Sequence, residues 1–290
     1  MLRPWLALTV SIWLGAGCSP AVGPLFTSAD AGPSDGTTPP NKNAADAAAR
    51  RDAGVPDAGA SPVRAGMRLQ YQLQGALDQT VDADLFVVDL FETTSAVVAQ
   101  LHARNRVVVA FVSAGSYEPW RPDVSSLPAS VRGEPLARYP DELWLDVRAS
   151  SVRQLLTGRL ALARDKGFDG VLLVSLDAYL TESGFELTAT DQLEYSLWLA
   201  QQAAARGLSA GISSDWAHAG QLANDYDFAI HLNCLANARC AELAPYRERG
   251  HAVFDLETSR DPGLCDEATD ASLSVSLKNA SFDAWLMVCP

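Results

Sequence analysis

The sequence predicts an α/β chain folded as a (β/α)8 TIM barrel from Met67 onward. Three observations lead there. Short β-rich runs alternate with helical stretches, as they do when parallel strands are joined by crossover helices. The runs number eight. No glycine-rich phosphate loop follows the first run, which counts against a nucleotide-binding, doubly wound sheet. A chain of 290 residues, 48% of them apolar, has enough material for one large barrel core.

The candidate strands are, in order, Leu69–Leu73, Leu85–Leu90, Arg106–Val112, Asp169–Val174, Leu208–Ser213, Phe228–Leu232, Ala252–Leu256 and Asp283–Val288. The second is followed by a helical pattern over Thr94–Arg104, which Ser95 could cap. Ser151–Lys166 is amphipathic, with Leu155, Leu156, Leu160 and Leu162 among its apolar positions. Thr188–Arg206 opens on Thr188-Ala189-Thr190-Asp191, close to a capping box, and stops at Gly207.

The first 66 residues read differently. Arg3 and the apolar run Trp5–Leu14, too short to span a bilayer, form a signal peptide. Gly15-Ala16-Gly17-Cys18 resembles a bacterial lipobox, with Leu14 one position further out than usual. Residues 1–18 are therefore expected to be the signal segment, with Cys18 as the lipidation site. Ordinary cleavage near Ala16 or after Cys18 is the alternative. Residues 19–66 are Ala, Asp, Gly, Pro, Ser and Thr with almost no large apolar side chain, which predicts a disordered tether. A flexible chain of that length spans roughly 35–40 Å. Residues 67–290 are then the barrel domain. The expected location is the cell envelope, after export across the inner membrane.

The formal charge of −13 repels nucleic acid and suits a cationic partner, although acidity also serves solubility alone. A monomer is expected. Of the five cysteines, lipidation would remove Cys18 and leave four for an oxidising compartment. The predicted pairing is Cys234 with Cys240, closing a short loop, and Cys265 with Cys289, tying down the chain end. No His lies at ligand spacing to them, so no metal is expected, and no cofactor is implied.

Barrel enzymes place their functional groups at the C-terminal strand ends. Those ends offer Gln72 and Gln74; Asp89 and Glu92; Ser113, Tyr117, Glu118, Trp120 and Asp123; Val174 and Asp177; Asp215; His231 and Leu232; Asp255 and Glu257. Carboxylates beside aromatic side chains suit a sugar site, since rings stack on pyranoses and carboxylates accept from hydroxyl or amino groups. Asp215 and Asp255 could equally be helix caps, and Glu118 and Asp123 solvated loop acids.

Several segments resemble signature stretches of glycoside hydrolase family 114. They are Tyr71-Gln72-Leu73-Gln74-Gly75, Asp89-Leu90-Phe91-Glu92, the run from Phe111 to Asp123, Leu143-Trp144-Leu145-Asp146-Val147-Arg148, Gly167-Phe168-Asp169-Gly170-Val171, Leu187 to Tyr195, and Asp225-Tyr226-Asp227-Phe228-Ala229. The resemblance covers almost everything after Met67. It implies a TIM barrel and endo-α-1,4-galactosaminidase chemistry on galactosamine-containing polysaccharides, which are cationic when deacetylated. That chemistry needs two carboxylates. Where the family keeps an Asp after strand four, this chain has Val174. Where the family keeps a Glu after strand six, it has Leu232. Asp177, Asp215 and Glu257 carry over.

An aliphatic side chain moves no proton, and a positioned acid or base contributes about 10²–10⁴-fold. The leading expectation is thus a catalytically degenerate member that binds a galactosamine-type polysaccharide or a surface partner. Its binding residues would be Gln72, Asp89, Glu92, Ser113, Tyr117, Glu118, Trp120, Asp123 and Asp255. The alternatives are an active hydrolase using relocated acids (Asp177, Asp215, Asp255 and Glu257 are the candidates) and a structural surface lipoprotein.

Overall fold

The computed structural model describes residues 61–268 and 273–290. The expected signal segment, Cys18 and the tether up to residue 60 lie outside the described residues. Eight parallel strands form the body: β1 (Leu69–Gln72), β2 (Leu85–Asp89), β3 (Val107–Ser113), β7 (Gly170–Val174), β8 (Ser209–Ile212), β9 (Phe228–Leu232), β10 (Ala252–Glu257) and β11 (Ser274–Lys278). Their order in the sheet is their order in the chain. A doubly wound sheet reverses direction partway; this one does not, and it curls toward closure as a barrel. At the seam, Ser276 Oγ donates to Leu69 O at 3.3 Å, and Lys278 Nζ donates to Gln70 Oε1 at 2.7 Å. Lys278 is fully buried there, and burial pushes its ammonium down to about 8.

Most of the strands, β1 and β11 excepted, lack polar alternation because both faces are covered. One set of side chains fills the barrel: Leu69, Tyr71, Leu85, Val87, Val109, Leu172, Phe228, Ile230, Phe254 and Leu256. The alternate set, among them Phe86, Val88, Val108, Val171, Leu173 and Val253, packs outward with the helices. Gly211 makes room inside, since a Cβ there would sit 2.1 Å from the Phe228 ring. At the lower end, where the strands begin, Val63 is buried in the interior cluster and Ser61 Oγ bonds Ser209 Oγ at 3.0 Å. The chain therefore enters through the barrel floor.

Three helices are substantial: α1 (Ser95–His102), α2 (Ser150–Lys166) and α3 (Ala189–Ala204). The helix after β2 is capped by Thr94, not Ser95, because the Thr94 side chain accepts from Val97 N. Thr188 and Asp191 form the expected capping box on α3. The left-handed φ of +86° at Gly167 ends α2. The later crossovers hold only single turns: α4 (Ala219–Leu222), α5 (Ala244–Arg247) and α6 (Gly263–Glu267). No described helix is long and apolar enough to cross a membrane.

Two features differ from the sequence reading. The eighth barrel strand is Ser274–Lys278, not Asp283–Val288; the latter supplies β12 (Leu286–Val288), which pairs antiparallel with β11. Serine and lysine at alternate positions hid β11, since burial of Ser276 and Lys278 depends on partners far away in sequence. A small second sheet of three antiparallel strands also follows β3. It comprises β4 (Ser116–Tyr117), β5 (Arg132–Pro135) and β6 (Leu143–Leu145). Both predicted disulfides, Cys234–Cys240 and Cys265–Cys289, are present.

Candidate functional site at the barrel mouth

The upper rim is built from the segments that follow each strand. Val174 and Leu232 close β7 and β9 and join the apolar cluster that fills the barrel, together with Phe111 and Leu73. Both are half-buried at the upper end of the interior. Each is followed by a residue in the left-handed region, Ser175 at φ 61° and Asn233 at φ 59°. Asp215, after β8, shares that conformation at φ 59°. Non-glycine residues are held this way only where surrounding contacts over-determine them. Gly115 shows how tight the packing is: a Cβ there would lie 1.7 Å from Ser175 O.

Asp89, Glu118 and Asp123, after β2 and β3, are not free. Arg121 grips Asp89 at 3.0 and 2.6 Å and reaches Glu118 Oε1 at 2.8 Å. Arg159, 1% exposed on α2, donates to Asp123 at 2.8 and 3.1 Å and to Ser113 O at 2.7 Å. Its Nη1 also lies 3.7 Å from Glu118 Oε2, an oxygen with no hydrogen-bond donor. Asp89 further accepts from Phe91 N and Glu92 N. Asp89, Glu118 and Asp123 thus form one network with the two arginines. Gln72 spends its amide on the β1–β2 loop, through Gln74 O, Ala76 O and Asp78 N. Glu92 is exposed, Trp120 is 56% exposed, and Tyr117 lies under the Arg132 guanidinium at 4.3 Å.

The small sheet brings a further acid to the rim. Glu142 accepts from Ser116 Oγ at 2.5 Å, and Ser116 bonds Ser113 in turn. Burial raises the Glu142 carboxyl above its usual range, the Ser116 bond opposes this, and Glu118 adds to the rise. Leu136 and Trp144 of the same insertion pack on Ala178.

A second cluster lies after β7 and β8. Asp215 is buried and accepts from Tyr179 OH at 2.9 Å and from His218 Nδ1 at 2.9 Å. Burial pushes it up to about 6, against the pull of His218. The Tyr179 and His218 rings stack at 5.2 Å. Asp177 is half-buried, and burial raises its carboxyl. Asp215 precedes a short 3-10 turn without capping it through its side chain.

Asp255 and Glu257 take a different position. They alternate with Phe254 and Leu256, which face the interior, so they point to the outer layer. Asp255 accepts from Cys234 N at 2.9 Å; Glu257 Oε1 accepts from Leu235 N at 2.8 Å and Ala236 N at 3.1 Å. Burial first, and then Glu257, pushes Asp255 up to about 8. Both acids clamp the loop that follows Leu232. His231, from the same strand, stacks on Trp216 at 4.7 Å and bonds Glu242 at 3.0 Å.

Sequence reasoning missed Arg121, Arg159, Glu142, Tyr179 and His218. Two left a signal. Arg121 stands three residues after Glu118, and Arg159 is a charge on the apolar face of α2 between Leu155 and Leu160. Two clefts flank the rim: one of about 450 Å³ between α2 and the 123–127 segment, and one of about 260 Å³ beside the β1–β2 loop, lined by Gln72, Asp89 and Glu92.

Comparison with known proteins adds the following. The model of glycoside-hydrolase family GH114 matches residues 47–290. Ega3 of Aspergillus fumigatus, solved in complex with galactosamine, is 31% identical; the match covers 78% of this chain and 96% of that one, with a TM-score of 0.75. The glycoside hydrolase domain of PelA from Pseudomonas aeruginosa is 14% identical over 77% of this chain and 98% of that one, with a TM-score of 0.62. At that identity the PelA likeness speaks for the fold alone. A search of curated proteins found no match.

Proposed function

The chain belongs to glycoside hydrolase family 114, and from that premise we propose that it is a catalytically degenerate member that holds a galactosamine-type polysaccharide at the barrel mouth. One observation carries the reading. Val174 and Leu232 stand at the upper ends of β7 and β9 within the apolar filling of the barrel. By the resemblance of the strand-end motifs, these are the positions of the family's two acids. Apolar groups there exclude water and move no proton, so the two-carboxylate reaction loses both its participants.

What survives favours binding. Ega3, 31% identical, is solved with galactosamine, and a protonated amino sugar suits a chain carrying a net charge of −13. Exposed Trp120 and half-buried Asp177 offer a ring face and a carboxylate at the rim. In this reading the barrel is exported and displayed through Cys18 and the segment up to residue 60, in the cell envelope.

A second reading has one observation in its favour. Asp177 and Asp215 are both raised by burial, and Asp177 acts electrostatically on Asp215. Two carboxyls in one neighbourhood are what a relocated acid–base pair requires. Asp255 and Glu257 do not support it, since both are engaged behind the loop at 234–236.

One paired assay separates the two. Wild-type protein and the double variant Val174→Asp, Leu232→Glu are given an α-1,4-linked galactosamine polymer, and both reducing ends and bound polymer are measured. The degenerate reading expects binding by the wild type without new reducing ends. Turnover by the wild type that vanishes in Asp177→Asn or Asp215→Asn would establish the second reading instead.

A further inference from the structure

The β9–β10 loop contains a group of atoms that the glycan reading leaves unused. Cys234 Sγ, Cys240 Sγ and a carboxylate oxygen of Asp255 all lie within 4.8 Å of one another. The two sulfurs are joined as a disulfide across a separation of six residues. Glu257, 1% exposed, stands two residues from Asp255 on the same face of β10. Its Oε1 is bonded to Leu235 N and Ala236 N, but its buried Oε2 finds no donor among the protein groups. A buried acidic oxygen without a donor, beside a second buried acid, is a place where a cation can be accommodated.

We propose that, once this disulfide is reduced, Cys234, Cys240, Asp255 and Glu257 form a tetrahedral site for a thiophilic divalent cation, zinc above all. The balance is simple. A dithiol or phosphine reductant gives two electrons to the S–S bond, and with two protons it yields two thiols. Binding of Zn²⁺ then releases both thiol protons. The product is a zinc ion bound by two thiolates and two carboxylate oxygens.

The ligand chemistry fits. Zinc takes sulfur at about 2.3 Å and carboxylate oxygen at about 2.0–2.2 Å in a tetrahedral array. Cys234 Sγ, Cys240 Sγ and the Asp255 oxygen, within 4.8 Å of one another, supply three ligands once the S–S bond is open, and the unpartnered Glu257 Oε2 is the fourth, brought in by side-chain rotation. Mixed thiolate and carboxylate ligands favour zinc over magnesium or calcium, which prefer oxygen alone. The carboxylate ligands are already oriented by backbone donors: Cys234 N holds Asp255 at 2.9 Å and Leu235 N holds Glu257 at 2.8 Å. Such outer bonds fix ligands ahead of binding. The zinc ion would replace the disulfide as the tie that closes the loop, so the segment after Leu232 keeps a cross-link in either redox state. A search for His beside Cys could not find the site, because its other ligands are acids that the fold brings in from β10.

The test uses the full chain and cobalt as a coloured stand-in for zinc. The protein is reduced with a phosphine, freed of reductant without air, and titrated with Co²⁺. The expected result is one Co²⁺ per chain, with a sulfur-to-cobalt charge-transfer band and the intense visible bands of tetrahedral cobalt, all bleached by Zn²⁺. The oxidised protein gives none. Asp255→Asn and Glu257→Gln each weaken zinc binding by at least tenfold, in line with loss of one ligand, while near-ultraviolet circular dichroism stays native. Three results overturn the proposal: no charge-transfer band in reduced protein, a band equally strong in both acid variants, or a reduced chain whose native dichroism is lost and not restored by Zn²⁺.

Discussion

The acid pair behind the β9–β10 loop leads to an unusual stability prediction for Asp255→Asn. Asp255 has no exposed surface, and burial together with Glu257 pushes it up from 3.8 to about 8. The folded protein therefore keeps a proton that the unfolded chain releases near pH 4. Between about pH 4 and pH 8 the native state binds more protons than the unfolded state, so stability falls as pH rises and levels off above about 8. At roughly 1.4 kcal/mol per pH unit the full displacement corresponds to at most about 6 kcal/mol. The backbone donors at Cys234 and Leu235 partly offset the burial, so about 2–3 kcal/mol is the realistic share. Asparagine keeps a carbonyl oxygen for Cys234 N and has an amide to offer Glu257, but it carries no such penalty. The variant should match the wild type near pH 4 and exceed it at pH 8 by about 2–3 kcal/mol, or about 5–10 °C in Tm for a domain of this size. Urea unfolding of oxidised, metal-free protein at half-unit steps from pH 4 to pH 9 measures this. Parallel pH profiles for the two proteins, or a variant less stable than wild type at pH 8, would refute the reasoning.

Three other outcomes follow from single contacts. Arg159→Met strands Asp123 and leaves Glu118 to Arg121 alone, and should cost about 3–5 kcal/mol, read as a lowered urea midpoint. Gly115→Ala drives a Cβ into Ser175 O and should yield little soluble protein, with any recovered fraction lacking native near-ultraviolet dichroism. Trp120→Ala should leave stability within about 0.5 kcal/mol of wild type because the ring is exposed, yet weaken retention of the galactosamine polymer by at least tenfold on an affinity column. Unchanged retention would remove the aromatic platform from the binding reading.

The barrel was legible because most of its strands are rich in apolar residues, Leu85-Phe86-Val87-Val88 and Val107-Val108-Val109-Ala110 almost without interruption, and are bounded by turns. Strand eight was not, because Ser274-Val275-Ser276-Leu277-Lys278 looks half-exposed. Its polar side chains are buried against Leu69 O and Gln70, and no local pattern encodes a seam between the first and last strands. The rim acids were legible as positions but not as partners. Asp123 and Arg159 are 36 residues apart, so the sequence offers two surface charges where the fold makes one ion pair. Asp255 and Glu257 read as members of a mouth because they end a strand, but the alternation with Phe254 and Leu256 turns both of them outward. Short spacings fared better. The Thr188–Asp191 box and the Cys234–Cys240 disulfide, six residues apart, follow from residues whose neighbours in space are their neighbours in the chain.

The entry of the chain through the floor has a practical consequence. Ser61 bonds Ser209 at the start of β8, and Val63 fills the interior below Leu69 and Phe228. Whatever is attached ahead of Ser61 therefore departs from the end of the barrel opposite Trp120, Val174 and Leu232. An affinity tag, a biotin for a sensor surface or a fused reporter placed there leaves the upper rim facing solution. The same groups on the C-terminal side would hang from Cys289, which the Cys265 disulfide holds beside β11. Immobilisation from the N-terminal side is thus the orientation in which a polymer of any length has free approach.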